Sequence, residues 1–337
     1  MKQFIKIFSI AFACFALAIG AGVYTYSKIY EPPEEQPDYT DEKEREEENA
    51  ETDKPKDPFQ IAIESSKRVN FLLMGMEGAR SDTIIFASFD PKGNKVDMIS
   101  VPRDTYYYTK GYESGDLRKL NAVYGRSKAE GTKRAVEEIL GQVPVHHYIM
   151  VDYKGVEKIV DSLGGVEVNV PFHMDYYDPA DKPPLRIDIP KGKQVLNGEQ
   201  SVKFLRYRHN SDKTVGYPDG DLGRIRAQQQ FIKSAIKKSL SLKIVNVVKT
   251  SFDYVRTDVS LKDALGYAAG AIGISVDDIS MTTLPGVAED RTYGRTTLSY
   301  FIHDPIQVKE MMMKIYEVPS ENLDESQDSS NENKQND

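Results

Sequence analysis

The sequence predicts an α/β fold, a single domain in which helices cover a sheet. Three observations predict it. Short apolar runs bounded by turn residues alternate with amphipathic helical stretches across residues 67–316 of the 337, the pattern of helices packed on a sheet. The acid is concentrated outside that region: 31–57 carry a net −9 and 317–337 a net −6, 1–30 carry +3, and the folded remainder is left at +4 of the whole chain's −8. The single cysteine, Cys14, rules out a disulfide framework and a cysteine-based metal site, so the core must stand without staples.

Residues 1–6 read as a short cytoplasmic N-terminus and 7–27 as a transmembrane helix. Ile7 to Tyr26 are almost uninterrupted apolar residues, about the twenty that a helix needs to span a bilayer. Lys2 and Lys6 precede the run, and the positive-inside rule then puts the rest of the chain outside the cell. The rival reading is a cleaved signal peptide, because "AIGAG" (18–22) offers small residues at its end. Residues 28–66 and 317–337, rich in Glu, Asp, Asn, Ser and Pro, are expected to be a disordered linker and tail.

Between them, Phe71–Met74 and Thr83–Phe89 read as buried strands joined by a charged, Gly-containing loop, and "DPKGNK" as the turn of a hairpin ending in "VDMISV". "SKAEGTKRAVEEILG" reads as helix, "HHYIMVDY" as strand, "KGVEKIVDSLGG" as helix and "VEVNVPF" as strand. "SVKFLRYRH" and "DLGRIRAQQQFIKSAIKKSL" have helical period, with a loop at Asn210–Pro218 between them. "LKDALGYAAGA" adds a helix, "ISMTTLPG" a strand and "IQVKEMMMKIY" a closing helix.

Charged residues gather where these apolar elements end. Glu77, Arg80 and Asp82 fall at one rim of the sheet, a common ligand position. Two such carboxylates suit a hard divalent cation; equally, Asp82 could cap the turn and pair with Arg80. In "SVPRDT", Pro102 ends a strand and Arg103 offers a planar fork suited to phosphate, with Asp104 beside it. Lys119 adds a compact ammonium. Arg206, Arg208, Asp221, Arg224 and Gln228 surround the loop between two helices, and Arg224 and Gln228 stack one turn apart. Arg226 lies about 200° round the axis from Arg224 and reads as surface charge. "TYYYTKGY" (105–112) reads as a sugar- or lipid-facing surface or as loop packing. The five histidines lack metal spacing, and neither a P-loop nor a nucleophile elbow occurs.

Taken together, "NFLLMG", "RSDTI", "SVPRDT", "KLNAVYG", "VDSLGGVEVNVP", "GKQVLNGEQSVKFLRYR" and "GDLGR" resemble the LytR–CpsA–Psr family over about residues 70–239. The resemblance implies an α-β-α sandwich with a central mixed sheet. It implies a membrane-anchored phosphotransferase that moves a polyprenyl-pyrophosphate-linked glycopolymer, wall teichoic acid above all, onto a peptidoglycan hydroxyl. Arg80, Arg103, Lys119, Arg206, Arg208, Arg224 and Gln228 would bind the pyrophosphate. Glu77 and Asp82 would hold Mg²⁺ or Mn²⁺ through the phosphates. Arg103 and Arg224 would act in catalysis, with Asp104 or Asp221 either accepting the hydroxyl proton or orienting the arginines. The chain departs from the family pattern at Glu77, where Asp is usual, at Arg118, where Asp is usual, and at Ala227, where Arg is usual. The implied place is the cell membrane, with the catalytic domain outside and no nucleic acid partner.

Overall fold

In a computed structural model, residues 57–319 apart from 242–243 and 294–295 are described. The apolar run 7–27 lies outside them; among the described residues no helix is long and apolar enough to cross a membrane.

The centre is a six-stranded mixed sheet. It is built from β1 (Val69–Glu77), β2 (Arg80–Asp90), β3 (Lys95–Ser100), β4 (His147–Asp152), β9 (Arg256–Thr257) and β10 (Ile279–Thr283), in the order β10-β3-β2-β1-β4-β9. β1, β2 and β3 run antiparallel to one another as two successive hairpins, while β4 joins β1 and β10 joins β3 in parallel. Successive side chains on a strand point to opposite faces, and both faces here are apolar. Leu72, Met74, Ile84, Phe86 and Ile99 face one side, where they pack on α1 (Pro58–Ser65), α2 (Val123–Ile139) and α8 (Pro305–Ile315). Leu73, Ile85, Ala87 and Met98 face the other, against Ile232, Ile236 and Leu240 of α5 (Gly220–Ser241) and against Ala271, just past α7 (Leu261–Gly270). The result is three layers, helix on sheet on helix.

A second apolar cluster lies beside the sheet. Two small antiparallel pairs, β5 (Val166–Val170) with β8 (Gly192–Leu196) and β6 (Met174–Asp178) with β7 (Leu185–Ile189), pack on α3 (Tyr153–Ser162), α4 (Gly198–Arg206) and α5. α4 starts on a capping box, in which the Asn197 side chain accepts from the Gln200 N–H and the Gln200 side chain accepts from the Asn197 N–H. Gly198 is required at that start, because a Cβ there would meet the Glu157 carbonyl oxygen of α3 at 2.3 Å. α6 (Ile244–Ser251) and the hairpin of β11 (Gly286–Tyr293) with β12 (Thr296–His303) complete the described chain.

Four expectations are corrected. The last residues of the expected linker, Pro58–Ser65, form α1; Phe59 is 2% exposed and sits edge-on to Tyr316 with ring centroids 6.3 Å apart. The loop expected between the first two strands shrinks to a turn at Gly78 (φ +60) and Ala79, so Glu77, Arg80 and Asp82 are strand residues. The helix expected over 201–209 ends at Arg206, and Tyr207 is extended, which places Arg208 outside it. Finally, 174–196 and 286–303 contain strands that the sequence reading did not assign, although "LRIDI" (185–189) alternates apolar and polar residues. Because Phe59 anchors α1 in the main core, Phe59→Ala is expected to cost about 3–5 kcal/mol, measured by denaturant unfolding of the wild type and the variant.

Candidate active site

The ends of β1, β2, β3 and β4 meet the C-terminus of α4 and the N-terminus of α5, and the charged residues collect there. Glu77 closes β1 opposite Arg80, and Asp82 is the unpaired β2 residue at the register shift between Gly75 and Met76. Asp82 does not pair with Arg80; its Oδ1 accepts from Arg103 Nη1 at 2.6 Å. Arg103 Nε lies 3.7 Å from Asp104, whose other oxygen pairs with Lys119 Nζ at 2.9 Å. Asp82, Arg103, Asp104 and Lys119 thus form a chain of alternating charge across the end of the sheet.

The second half comes from the helices. Arg206, in the last turn of α4, lies 3.3 Å from Glu77 and 2.9 Å from Asp181, and its guanidinium stacks 4.9 Å from the Tyr153 ring centre. Arg224 pairs with Asp221 one turn earlier at 2.6 Å, and Gln228 one turn later donates to the Leu205 carbonyl at 3.4 Å. Arg224 is 5% exposed. Burial pushes its guanidinium down, and although Asp221 pulls it up, Arg208 and Arg103 push it down further. A buried cation surrounded by other cations is a site shaped for an anion. The Nε atoms of Arg103 and Arg224 are buried and make no hydrogen bond within the protein.

Of these groups Glu77, Asp82, Arg206, Arg224 and Gln228, together with Arg208, line a cavity of about 500 Å³. Its remaining wall is largely apolar and includes Leu73, Ile85, Ile149, Val151, Phe231 and Ile232. A second cavity of about 360 Å³, lined almost wholly by apolar side chains of β1–β4, α6 and α7, shares Leu73, Ile149 and Val255 with the first. The two cavities are therefore adjacent, the first carrying the charged groups and the second almost wholly apolar.

Not every expected residue joins this cluster. Arg80, Arg103, Asp104, Lys119 and Asp221 are all absent from the cavity wall; the last four are tied to it by ion pairs through Asp82 and Arg224, whereas the Arg80 side chain is 54% exposed and lies 3.8 Å from Asp116. Arg226, read from the sequence as surface charge, is exposed as expected and pairs with Asp219. Two residues that the sequence reading passed over do belong. Tyr153 is pushed up to about 12 by burial and by Glu77, and Asp181 shares Arg206 with Glu77. Tyr153 follows the last residue of an apolar strand, the same strand-end signal that marks Glu77, whereas the Asp181 contact joins a loop to a distant helix.

Glu77 and Asp82 are the candidate metal ligands. Among the described residues no group of three or more His, Cys, Asp or Glu is placed to hold a metal, so phosphate oxygens or water would have to complete a shell. The donor chemistry fits a hard cation: burial first, and Asp82 second, raise the Glu77 carboxyl above its ordinary value of 4.5, and a divalent cation between the two relieves both effects. The same shift has a stability consequence. A carboxyl raised in the folded state contributes most below its unfolded pKa, and that contribution is lost as pH rises through the folded value. Without added cation, Glu77→Gln is expected to keep or gain thermal stability near neutral pH and to lose this part of the pH dependence. Melting curves between about pH 4 and 8 test it; a variant markedly less stable than wild type at neutral pH would contradict it.

The comparisons with known proteins place the chain in a family. The LytR_cpsA_psr family profile matches residues 24–316. TagV of Bacillus subtilis (strain 168), named a polyisoprenyl-teichoic acid–peptidoglycan teichoic acid transferase, is 29% identical over 286 residues, which cover 84% of this chain and 69% of TagV. The TagU of Enterococcus faecalis (strain ATCC 700802 / V583), a transferase of the same name, is 28% identical over 299 residues, 83% of this chain and 88% of its own. The crystal structure of B. subtilis TagV aligns with a TM-score of 0.61 at 27% identity, over 76% of this chain and 99% of that one. A profile that matches nearly the whole described domain, together with relatives aligned along most of the sequence, establishes that the chain belongs to the LytR_cpsA_psr family.

Proposed function

We propose that the protein is a membrane-anchored phosphotransferase. It would transfer a glycopolymer from a polyprenyl-pyrophosphate carrier to a peptidoglycan hydroxyl and release polyprenyl phosphate. The names of its relatives favour wall teichoic acid as the cargo. The observation that carries the reading is the cavity, which carries the charged groups on an otherwise largely apolar wall, with a second apolar cavity adjacent to it. A pyrophosphate bearing a long hydrocarbon chain has the same two parts. Apolar burial of the chain, about 25 cal/mol per Å², supplies binding energy remote from the reacting phosphorus. The expected span 7–27 would hold the domain at the outer membrane surface, where such a lipid lies.

The reaction forms a bond from the acceptor oxygen to phosphorus and breaks the bond from phosphorus to the lipid phosphate oxygen. Catalysis of this kind rests on positioning and on charge set against the equatorial and leaving oxygens. Arg206, Arg208 and Arg224 would hold the pyrophosphate, with Gln228 donating one turn along α5 and Arg103 and Lys119 approaching from the sheet side. Glu77 and Asp82 would bind Mg²⁺ or Mn²⁺, which supplies further neutralisation of phosphate charge when bound. Phosphate oxygens that engage Lys119 and Arg103 loosen their hold on Asp104, and Asp104 is then free to take the proton of the attacking hydroxyl. Asp221 keeps Arg224 in its rotamer.

The test uses the full chain in detergent with a labelled lipid-pyrophosphate-linked glycopolymer, Mg²⁺ and peptidoglycan. Label moved to peptidoglycan with release of polyprenyl phosphate is the expected result. Polyprenyl phosphate released without acceptor would instead mark a pyrophosphatase, and tight binding without turnover a recognition module.

A further inference from the structure

One side of the charged cluster leads away from both cavities. Lys119 Nζ lies 5.6 Å from the centre of the Tyr300 ring, and from Tyr300 a ledge of tyrosines and arginines spreads over the segment 105–119 and the β11–β12 hairpin. The segment is sewn to the hairpin by the backbone: Phe301 N–H donates to Asp104 O and Tyr106 N–H to Phe301 O, both at 2.9 Å. Tyr300 stands edge-on to Tyr106 and Tyr293, at 5.5 and 6.3 Å between ring centres. Its hydroxyl donates to the Gly115 carbonyl at 2.6 Å. Arg118 lies between the rings of Tyr108 and Tyr293, at 5.6 and 5.7 Å, and Arg291 covers Tyr106 at 4.6 Å. At the outer margin, Tyr108 and Tyr112 remain 49% and 37% exposed.

We infer that this ledge binds the sugar chain of the acceptor and delivers its hydroxyl to the phosphorus; the inference rests on the transferase reading given above. Two observations carry it. The first is position. In an in-line displacement the attacking and leaving oxygens lie on opposite sides of phosphorus. The leaving lipid phosphate belongs to the cavity, and the ledge lies across the Asp82, Arg103, Asp104 and Lys119 chain from it; neither Tyr106, Tyr108, Tyr293, Tyr300, Arg118 nor Arg291 lines either cavity. Asp104 stands between the two. The second is charge. Arg118 and Arg291 are already paired with Glu113 and Glu289 at 3.0 and 2.6 Å. The surface therefore offers rigid aromatic rings with both donors and acceptors, which suits a polyhydroxyl chain, and little free positive charge for the phosphate-bearing donor polymer. The role also accounts for "TYYYTKGY", which the phosphate chemistry leaves unused.

The full chain is assayed with soluble, uncrosslinked peptidoglycan glycan strands as acceptor. Tyr108→Ala combined with Tyr112→Ala is expected to raise the acceptor KM about tenfold or more, while kcat at saturating acceptor and the donor KM stay within about twofold of wild type. Tyr108→Phe and Tyr112→Phe, which keep the rings, are expected to match wild type, so a loss confined to the alanine pair is not a folding defect. An unchanged acceptor KM overturns the inference, as does a rise in the donor KM instead. Equilibrium binding of the same strands without donor separates this from the transferase reading. If wild type binds strands but transfers nothing, that reading fails and the ledge stands or falls on whether the alanine pair loses the strands.

Discussion

Arg103→Ala is expected to lower transfer by about 10²–10³-fold, the range found when a single preorganised donor is removed from a site where charge develops. The size of the effect follows from where Arg103 sits. It is the only guanidinium among the described ion pairs that contacts both Asp82 and Asp104, so it ties the candidate metal carboxylate to the candidate proton acceptor. Its Nε–H, buried and unbonded within the protein, remains for a phosphate oxygen. Burial pushes its guanidinium down, but Asp82, Asp104 and Asp221 together pull it up by more, and it therefore stays charged at any working pH. Loss of the side chain would leave Asp82 and Asp104 without the guanidinium that ties them together. Arg103→Lys is expected to recover little, because a lysine is a point charge and cannot bridge two carboxylates in a fixed plane. The check is single-turnover transfer at saturating donor, at low and high Mg²⁺. Rates close to wild type for the alanine variant would remove Arg103 from the machinery.

Much of the sheet and most of the helices were legible because their apolar residues recur with the period of a buried face. β1 to β3 carry nearly continuous apolar runs, since helices cover both faces, and "DPKGNK" marks the hairpin turn between β2 and β3 by composition. The strands that escaped reading are short or mix polar residues into the run, even where they bury Met174, Ile187, Ile189, Tyr300 and Phe301. β11 is exposed at its first five positions, and its sequence, "GVAEDRTY", is that of a polar surface. β6 and β7 flank "PADKPP", whose prolines and acids read as loop. α1 was hidden by the acidic stretch that precedes it, although one phenylalanine suffices to fix it to the core. The site follows the same logic. Residues at the ends of apolar elements were visible, as Glu77, Asp82 and Arg103 show. Contacts between distant segments, Asp181 with Arg206 or Tyr153 with Glu77, depend on the tertiary arrangement and leave no local mark. Arg80 lies one hairpin turn from Glu77, and in that two-residue turn its side chain leaves the strand end toward Asp116.

Arg224→Met separates binding from folding more sharply than any other change in the site. Arg224 is buried, its pairing with Asp221 is opposed by Arg208 and Arg103, and burial disfavours its charge. Removing one partner of an ion pair destabilises when the other charge is left buried, but Asp221 retains solvent contact, with its side chain 37% exposed, while the buried Arg224 charge is taken out of the interior. The variant is therefore expected to melt at the same temperature as wild type or higher. Its affinity for a lipid pyrophosphate is expected to fall by about 10²-fold or more, because a charge-assisted, multidentate contact in a partly dry cavity is lost. Arg226→Met, two residues along the same helix, serves as the matched control: Arg226 is exposed and held by Asp219 on the surface, where an ion pair contributes about 0–1 kcal/mol. Differential scanning calorimetry and binding of a short-chain prenyl pyrophosphate give the two readouts on the same samples. A destabilised Arg224→Met that still binds would reverse the assignment and make Arg224 a structural residue. Wild-type stability with lost binding would place it at the pyrophosphate, where the opposing field of Arg103 and Arg208 is turned to use only when an anion arrives.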